Sequence, residues 1–200
     1  MSAAEEAATP TIHTSSRAGL QGSVLHTRTL MTVAACAVVG ALLIVPLNFV
    51  SIAVAISPGG ILIMCALMGL WLIPYLLPGA LTKKPGAIII AALILGIIST
   101  FTTPAGIGAI VGNLIGGALL EIPLALTLYR QWNWIGYGLG AIVFGLFNSL
   151  LYGTMMQIEL SFGQVLLGAA LSLISCFAAV AVTLTVVRAL RRAGVGVTTR

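Results

Sequence analysis

Glu121 is the residue whose chemistry differs most from its surroundings. It lies in the run Gly116-Gly117-Ala118-Leu119-Leu120-Glu121-Ile122-Pro123-Leu124, with no Lys or Arg between it and Arg130. An ionised carboxylate at bilayer depth costs at least a few kcal/mol unless it is paired or lines a polar cavity, so by default it marks a function. Asn113, Gly117 and Glu121 are four apart and share one helix face, where the glycine lets a ligand or a neighbouring helix approach. Trp71 and Tyr75 have the same spacing, with Pro74 between them. At about 18 Å into its span, Trp71 is too deep for an interfacial belt. A ring there stacks on a planar heterocycle or faces a cation, an attraction of roughly 0.5–2 kcal/mol. Asn148 and Tyr152, again four apart, and Gln164 after them supply polar groups for an outward vestibule. Each has a plainer reading. Asn113 serves equally as an interhelical hydrogen bond, Trp71 as core or lipid packing, Tyr152 as an interfacial anchor, and Glu121 as a carboxyl held by a neighbouring hydroxyl for structural reasons.

The elements that position these residues follow from composition. The chain is 60% apolar and 6% charged, with mean hydropathy +1.16. A soluble domain carries roughly 25% charged residues, so this is an integral membrane protein, and the cell (plasma) membrane is its expected location. A span needs about 20 mainly apolar residues to cross a core of roughly 30 Å. Six runs qualify: Leu30–Val50, Gly59–Leu81, Ala87–Phe101, Ile107–Tyr129, Ile135–Met155 and Ser161–Val187, with Ser51–Pro58 an irregular stretch after the first. The expected fold is all-α and polytopic. Residues 29–192 form a six-helix membrane domain, between a disordered tail at 1–28 and a short tail at 193–200. Lys and Arg gather on the cytoplasmic side of membrane proteins. With both termini cytoplasmic, Arg17, Arg28, Lys83, Lys84, Arg130, Arg188, Arg191, Arg192 and Arg200 all fall inside, and Glu159 falls outside. Five or seven spans would scatter these charges.

Several function classes drop out. There is no Walker-type G-x-x-x-x-G-K-[ST] run, no histidine cluster and no Ser/His/Asp set; His13 and His26 both precede the first span. An enzyme is not expected, nor is a metal site or a cofactor bound by this chain. The net charge of +5 lies at span ends rather than in a basic stripe, so nucleic acid is not a partner. Cys36, Cys65 and Cys176 are far apart in apolar runs and read as small packing residues. Ala53-Val54-Ala55 looks like a signal-peptide cleavage site, but the apolar run before it exceeds the usual 7–15 residues.

The order of several features carries a resemblance. Trp71, then Lys83-Lys84-Pro85-Gly86-Ala87, then Pro104-Ala105-Gly106, a Gly-rich span with Glu121, Arg130-Gln131-Trp132 and finally Tyr152 resembles the YkoE-type substrate-binding subunits of energy-coupling factor (ECF) transporters over roughly residues 30–190. That resemblance implies a six-helix S component. It would capture thiamine or its hydroxymethylpyrimidine moiety from outside and work with a transmembrane coupling subunit and two cytoplasmic ABC ATPases, which use the ATP. It places Glu121 and Trp71 in the pocket; Tyr75, Asn113, Asn148 and Tyr152 join them on residue type. A carboxylate suits an aminopyrimidine, and acidic or aromatic groups suit a cationic thiazolium. A smooth face for the coupling subunit is available on the first span, where Cys36 with Gly40 and Ala37 with Ala41 form small-xxx-small pairs. Two other functions remain open: a proton-coupled secondary transporter cycling Glu121, and a ligand-free assembly subunit pairing Glu121 with another chain. Secondary transporters often contain internal repeats, and no convincing repeat relates the first three spans to the last three.

Overall fold

A computed structural model describes residues 23–55, 57, 59–155 and 161–194, without the side chains of residue 55 and residues 152–155. Its six helices are α1 (Thr27–Ala55), α2 (Gly60–Thr82), α3 (Ala87–Thr102), α4 (Gly108–Leu126), α5 (Trp134–Met155) and α6 (Phe162–Arg192). Each coincides with an expected apolar run, and no strand occurs among the described residues. All but α3 are long and apolar enough to cross a membrane. At 1.5 Å per residue, α3 reaches only about 24 Å.

Several boundaries differ from expectation, and α6 runs five residues past Val187 to Arg192. Residues 51–55 continue α1 rather than forming an irregular stretch, because Ser-Ile-Ala-Val-Ala keeps the hydropathy and helical bonding of the preceding turns. At its other end α1 starts at Thr27, and Val24 just before it is buried, so order reaches into the expected tail. Residue 1 to residue 22 and residues 195–200 lie outside the described residues, as do Arg17, Glu159 and Arg200. The fourth helix stops at Leu126, short of Tyr129. Leu128 and Tyr129 adopt left-handed φ of 52° and 56°, and the Tyr129 N–H turns back to donate to the Leu124 carbonyl at 2.8 Å.

α2 is the central helix. It touches all five others, while α1, α3, α4, α5 and α6 follow one another around it. Close approach depends on residues without a Cβ. A methyl at Gly40 would fall 2.7 Å from Pro74 Cβ, one at Gly96 2.8 Å from Ile110 Cα, and one at Gly117 2.6 Å from Ala92 Cβ. Small residues at helix crossings are the usual means of packing where lipid gives no hydrophobic drive between helices. The outer faces are apolar too: Leu42 is 77% and Phe101 84% exposed. Lipid is the solvent such faces need.

The bundle has a basic end, where α2, α4 and α6 finish and α1 and α3 begin. Lys83, Lys84, Arg130, Arg188, Arg191 and Arg192 stand there, with Arg28 at the start of α1. The Arg191 guanidinium reaches α2 and donates to the carbonyls of Ala80 (2.9 Å) and Leu81 (3.2 Å). At the opposite end a capping box begins α6. The Ser161 hydroxyl accepts from the Gln164 N–H, and the Gln164 side chain accepts from the Ser161 N–H at 2.9 Å. Gln164 is thereby committed to its helix terminus and exposed, instead of facing a vestibule.

Candidate functional site

Two polar clusters are buried in the bundle, and the expected site residues divide between them. The first joins α2, α4 and α5. The Tyr75 hydroxyl donates to Asn113 Oδ1 at 2.8 Å, and Asn113 Nδ2 donates to the Ala109 carbonyl one turn earlier at 2.7 Å. Both residues are buried. The Phe144 ring lies 6.3 Å from that of Tyr75, tilted by 55°. Gly116 forms the wall between them, since a methyl there would stand 3.4 Å from both rings. Asn148, one turn beyond Phe144, donates to the Phe144 carbonyl at 2.8 Å and is half-buried. Ser99 of α3 is buried with no hydrogen-bond partner for its hydroxyl, one turn past Gly96, which packs on Asn113 Cβ. Trp71 is half-buried and packs on the same core about 6 Å along α2 from Tyr75. This cluster offers a phenol, two amides and a loose hydroxyl among aromatic rings, which matches a planar, hydrogen-bonding heterocycle. Tyr152 sits on α5 one turn past Asn148, and its side chain lies outside the described residues.

The second cluster is around Glu121, about 12 Å further along α4 and about 8 Å from its end. Glu121 Oε1 accepts from the Gly86 N–H at 2.6 Å, and the amides of Ile88 and Ile89 face the same carboxylate. These are first-turn N–H groups of α3, which lack partners within their own helix. Glu121 thus caps a neighbouring helix, where a negative charge also meets the positive end of the helix dipole. The Tyr129 hydroxyl faces it as well; burial, and then the charge of Glu121, push the Tyr129 phenol above its ordinary pKa, so it remains a donor. Oε2 is buried without a close donor. Glu121 is therefore held within its own chain, by main-chain amides as well as by the neighbouring hydroxyl that its plainer reading allowed. The Asn113–Gly117–Glu121 stripe is real, and it faces α3: Asn113 meets Gly96, Gly117 meets Ala92 and Glu121 meets Gly86.

The small residues of α1 are also used inside the bundle. Ala37, Gly40 and Ala41 are buried, with Gly40 against Pro74 of α2. Cys36 alone of the four reaches the surface, on an open groove with His26, Arg28, Met31, Thr32 and Ala35. The outward face of α1 carries Val38, Val39 and Leu42 instead. Cys65 and Cys176 are buried and unbridged, as expected for packing residues. Trp132 stacks on Tyr129 and meets Tyr137 edge-on near Arg130, while Trp134 is exposed.

Phe144, Ser99, Tyr129 and Arg191 are the participants that sequence reasoning missed. Phe144 has no signal among so many apolar residues. The run Lys-Lys-Pro-Gly-Ala did contain one for the donor to Glu121, since Pro-Gly before an apolar run marks a helix start whose amides need a cap.

Comparison with known proteins agrees with this architecture. A crystal structure of an S-component of an ECF transporter has the same fold, with a TM-score of 0.75 over 85% of this chain and 87% of that one, at 20% identity. No curated protein matches the sequence. The family described as the permease component of an ABC-type cobalt transport system matches residues 28–147. No three His, Cys, Asp or Glu side chains come together among the described residues. This multi-pass membrane protein belongs to the family of ABC-type cobalt transport system permease components.

Proposed function

We propose that the chain is the substrate-binding subunit of an ECF-type importer, that its cargo is an organic heterocycle of the thiamine or hydroxymethylpyrimidine type, and that its pocket is the Tyr75–Asn113 cluster. The observation that carries this reading is the buried Tyr75–Asn113 bond among aromatic rings, in a transport family with the fold of an S component. An aminopyrimidine both donates and accepts, so it can take the place each of these side chains now fills for the other. Aromatic faces of Tyr75, Phe144 and Trp71 favour the pyrimidine and, in thiamine, the cationic thiazolium. Asn148 and Tyr152 lie on the α5 approach, and Ser99 offers a further hydroxyl.

In this account all six helices cross the bilayer and both termini are cytoplasmic. The concentration of Lys and Arg at one end supports that orientation. Ligand enters from the opposite end, and a transmembrane coupling subunit with two cytoplasmic ABC ATPases supplies the ATP-driven reorientation that releases it inside. Glu121 stays outside the pocket and holds α3 against α4. That arrangement disfavours a proton carrier, which must expose its carboxyl during the cycle.

The test is a titration of the purified protein with thiamine, hydroxymethylpyrimidine and unrelated vitamins, followed by tryptophan fluorescence and heat. Saturable binding of a thiamine compound alone supports the assignment. No binding of either thiamine compound removes it.

A further inference from the structure

The turn between α2 and α3 is held from both sides by charges placed to suit it. On its α2 side the helix ends with exposed carbonyls and the negative end of its dipole, and Arg191 of α6 donates to Ala80 and Leu81 there. On its α3 side the helix begins with open N–H groups and a positive end, and Glu121 of α4 accepts from Gly86. Between these contacts Lys83 takes a left-handed φ of 50° with its N–H on the Gly79 carbonyl at 2.8 Å, Pro85 fixes one further φ, and Gly86 has φ of 82°. Val24, ahead of α1, packs 3.7 Å from the position of a Gly86 Cβ. Three other segments of the chain therefore converge on this turn.

Orientation in a membrane requires only that positive charge be present on one side; it places no demand on conformation. A fixed turn has a different consequence. It presents Lys83 and Pro85, both exposed, in one geometry, and a surface that is already ordered loses less entropy when it binds. Exposed Arg130, Arg188 and Arg192 stand at the same end, and the one acidic side chain among the described residues, Glu121, is turned inward. The complement is a surface rich in carboxylates. A protein gains from a rigid knob in a way that fluid lipid headgroups do not.

We propose that the Lys83–Gly86 turn, fixed by Glu121 and Arg191, is a preformed docking knob for an acidic face of a partner protein at the basic end. This rests on the importer-subunit reading above, in which that partner is the coupling subunit. Glu121 and Arg191 are positioning residues here, and Lys83 makes the contact.

The full transporter is co-expressed and recovered through a tag on this chain in mild detergent. The variants are Lys83→Gln with Lys84→Gln, Glu121→Gln, and Arg28→Gln as a control that removes a positive charge elsewhere at the same end. Loss of at least tenfold of the coupling subunit from the double variant is expected, with Arg28→Gln within twofold of the parent. Zero-length carbodiimide treatment of the parent complex is expected to join the Lys83 amine to a partner carboxylate. Glu121→Gln keeps every surface charge; it should lower recovery and speed amide exchange across residues 83–90. Unchanged recovery in the double variant, or an equal fall in Arg28→Gln, overturns the knob and leaves these charges to orientation and lipid. If the unaltered chain recovers no coupling subunit, the importer-subunit reading falls, and the knob with it.

Discussion

Replacing Glu121 separates a cap from a ligand contact. In Glu121→Gln the side chain keeps an oxygen that accepts from Gly86 but loses the charge that complements the α3 dipole, a loss of about 1 kcal/mol for a partly buried site. In Glu121→Ala the acceptor is lost too, leaving the first-turn amides of α3 buried without a partner, and the total rises to roughly 2–4 kcal/mol. For a chain of this size each kcal/mol corresponds to about 2–4 °C in midpoint. Thermal unfolding in detergent, followed by tryptophan fluorescence without ligand, should therefore place Glu121→Gln about 2–4 °C below the parent and Glu121→Ala about 4–16 °C below. Ligand affinity at a temperature where all three are folded should stay within about twofold, since Glu121 is about 12 Å along α4 from Asn113. A Glu121→Gln protein that melts with the parent yet binds ligand tenfold more weakly would refute this reasoning and return the carboxylate to the pocket.

Other substitutions probe the remaining contacts. Arg191→Ala removes both hydrogen bonds to the end of α2 and should lower the midpoint by roughly 2–8 °C for about 1–2 kcal/mol, read in the same melts. Gly117→Ala places a methyl 2.6 Å from Ala92 Cβ, and an overpacked seam of this kind loses about 1–3 kcal/mol; a monodisperse protein with an unchanged midpoint would contradict the α3–α4 packing. Tyr75→Phe strands Asn113 Oδ1 in a buried site, so it should reduce unliganded stability by roughly 1–3 kcal/mol in addition to any effect on ligand.

The helices were legible because each is an apolar run of near-membrane length, and that signal is strong in the absence of charge. Helix ends were less so. Leu128 and Tyr129 continue the hydropathy of α4 while their backbone turns left-handed, and hydropathy does not register φ. Tyr75 and Asn113 could be chosen as rare polar groups at depth, but their pairing across α2 and α4 is a tertiary fact with no local spacing behind it. Glu121 was conspicuous and its neighbour was not, because a main-chain amide has no letter of its own. Arg191 was accounted for by orientation alone, though it also caps α2. The small residues of α1 fit an external docking face and an internal seam equally well by pattern; burial of Ala37, Gly40 and Ala41 places them in the seam.

The central claim is that ligand binds at the Tyr75–Asn113 pair rather than at Glu121. The most direct measurement is the dissociation constant of thiamine for the parent protein, Tyr75→Phe and Glu121→Gln, by calorimetry in one detergent at one temperature. The account predicts saturable binding by the parent, a loss of at least tenfold, about 1.4 kcal/mol, in Tyr75→Phe, and a change within twofold in Glu121→Gln. An unaffected Tyr75→Phe beside a Glu121→Gln that no longer binds would contradict it.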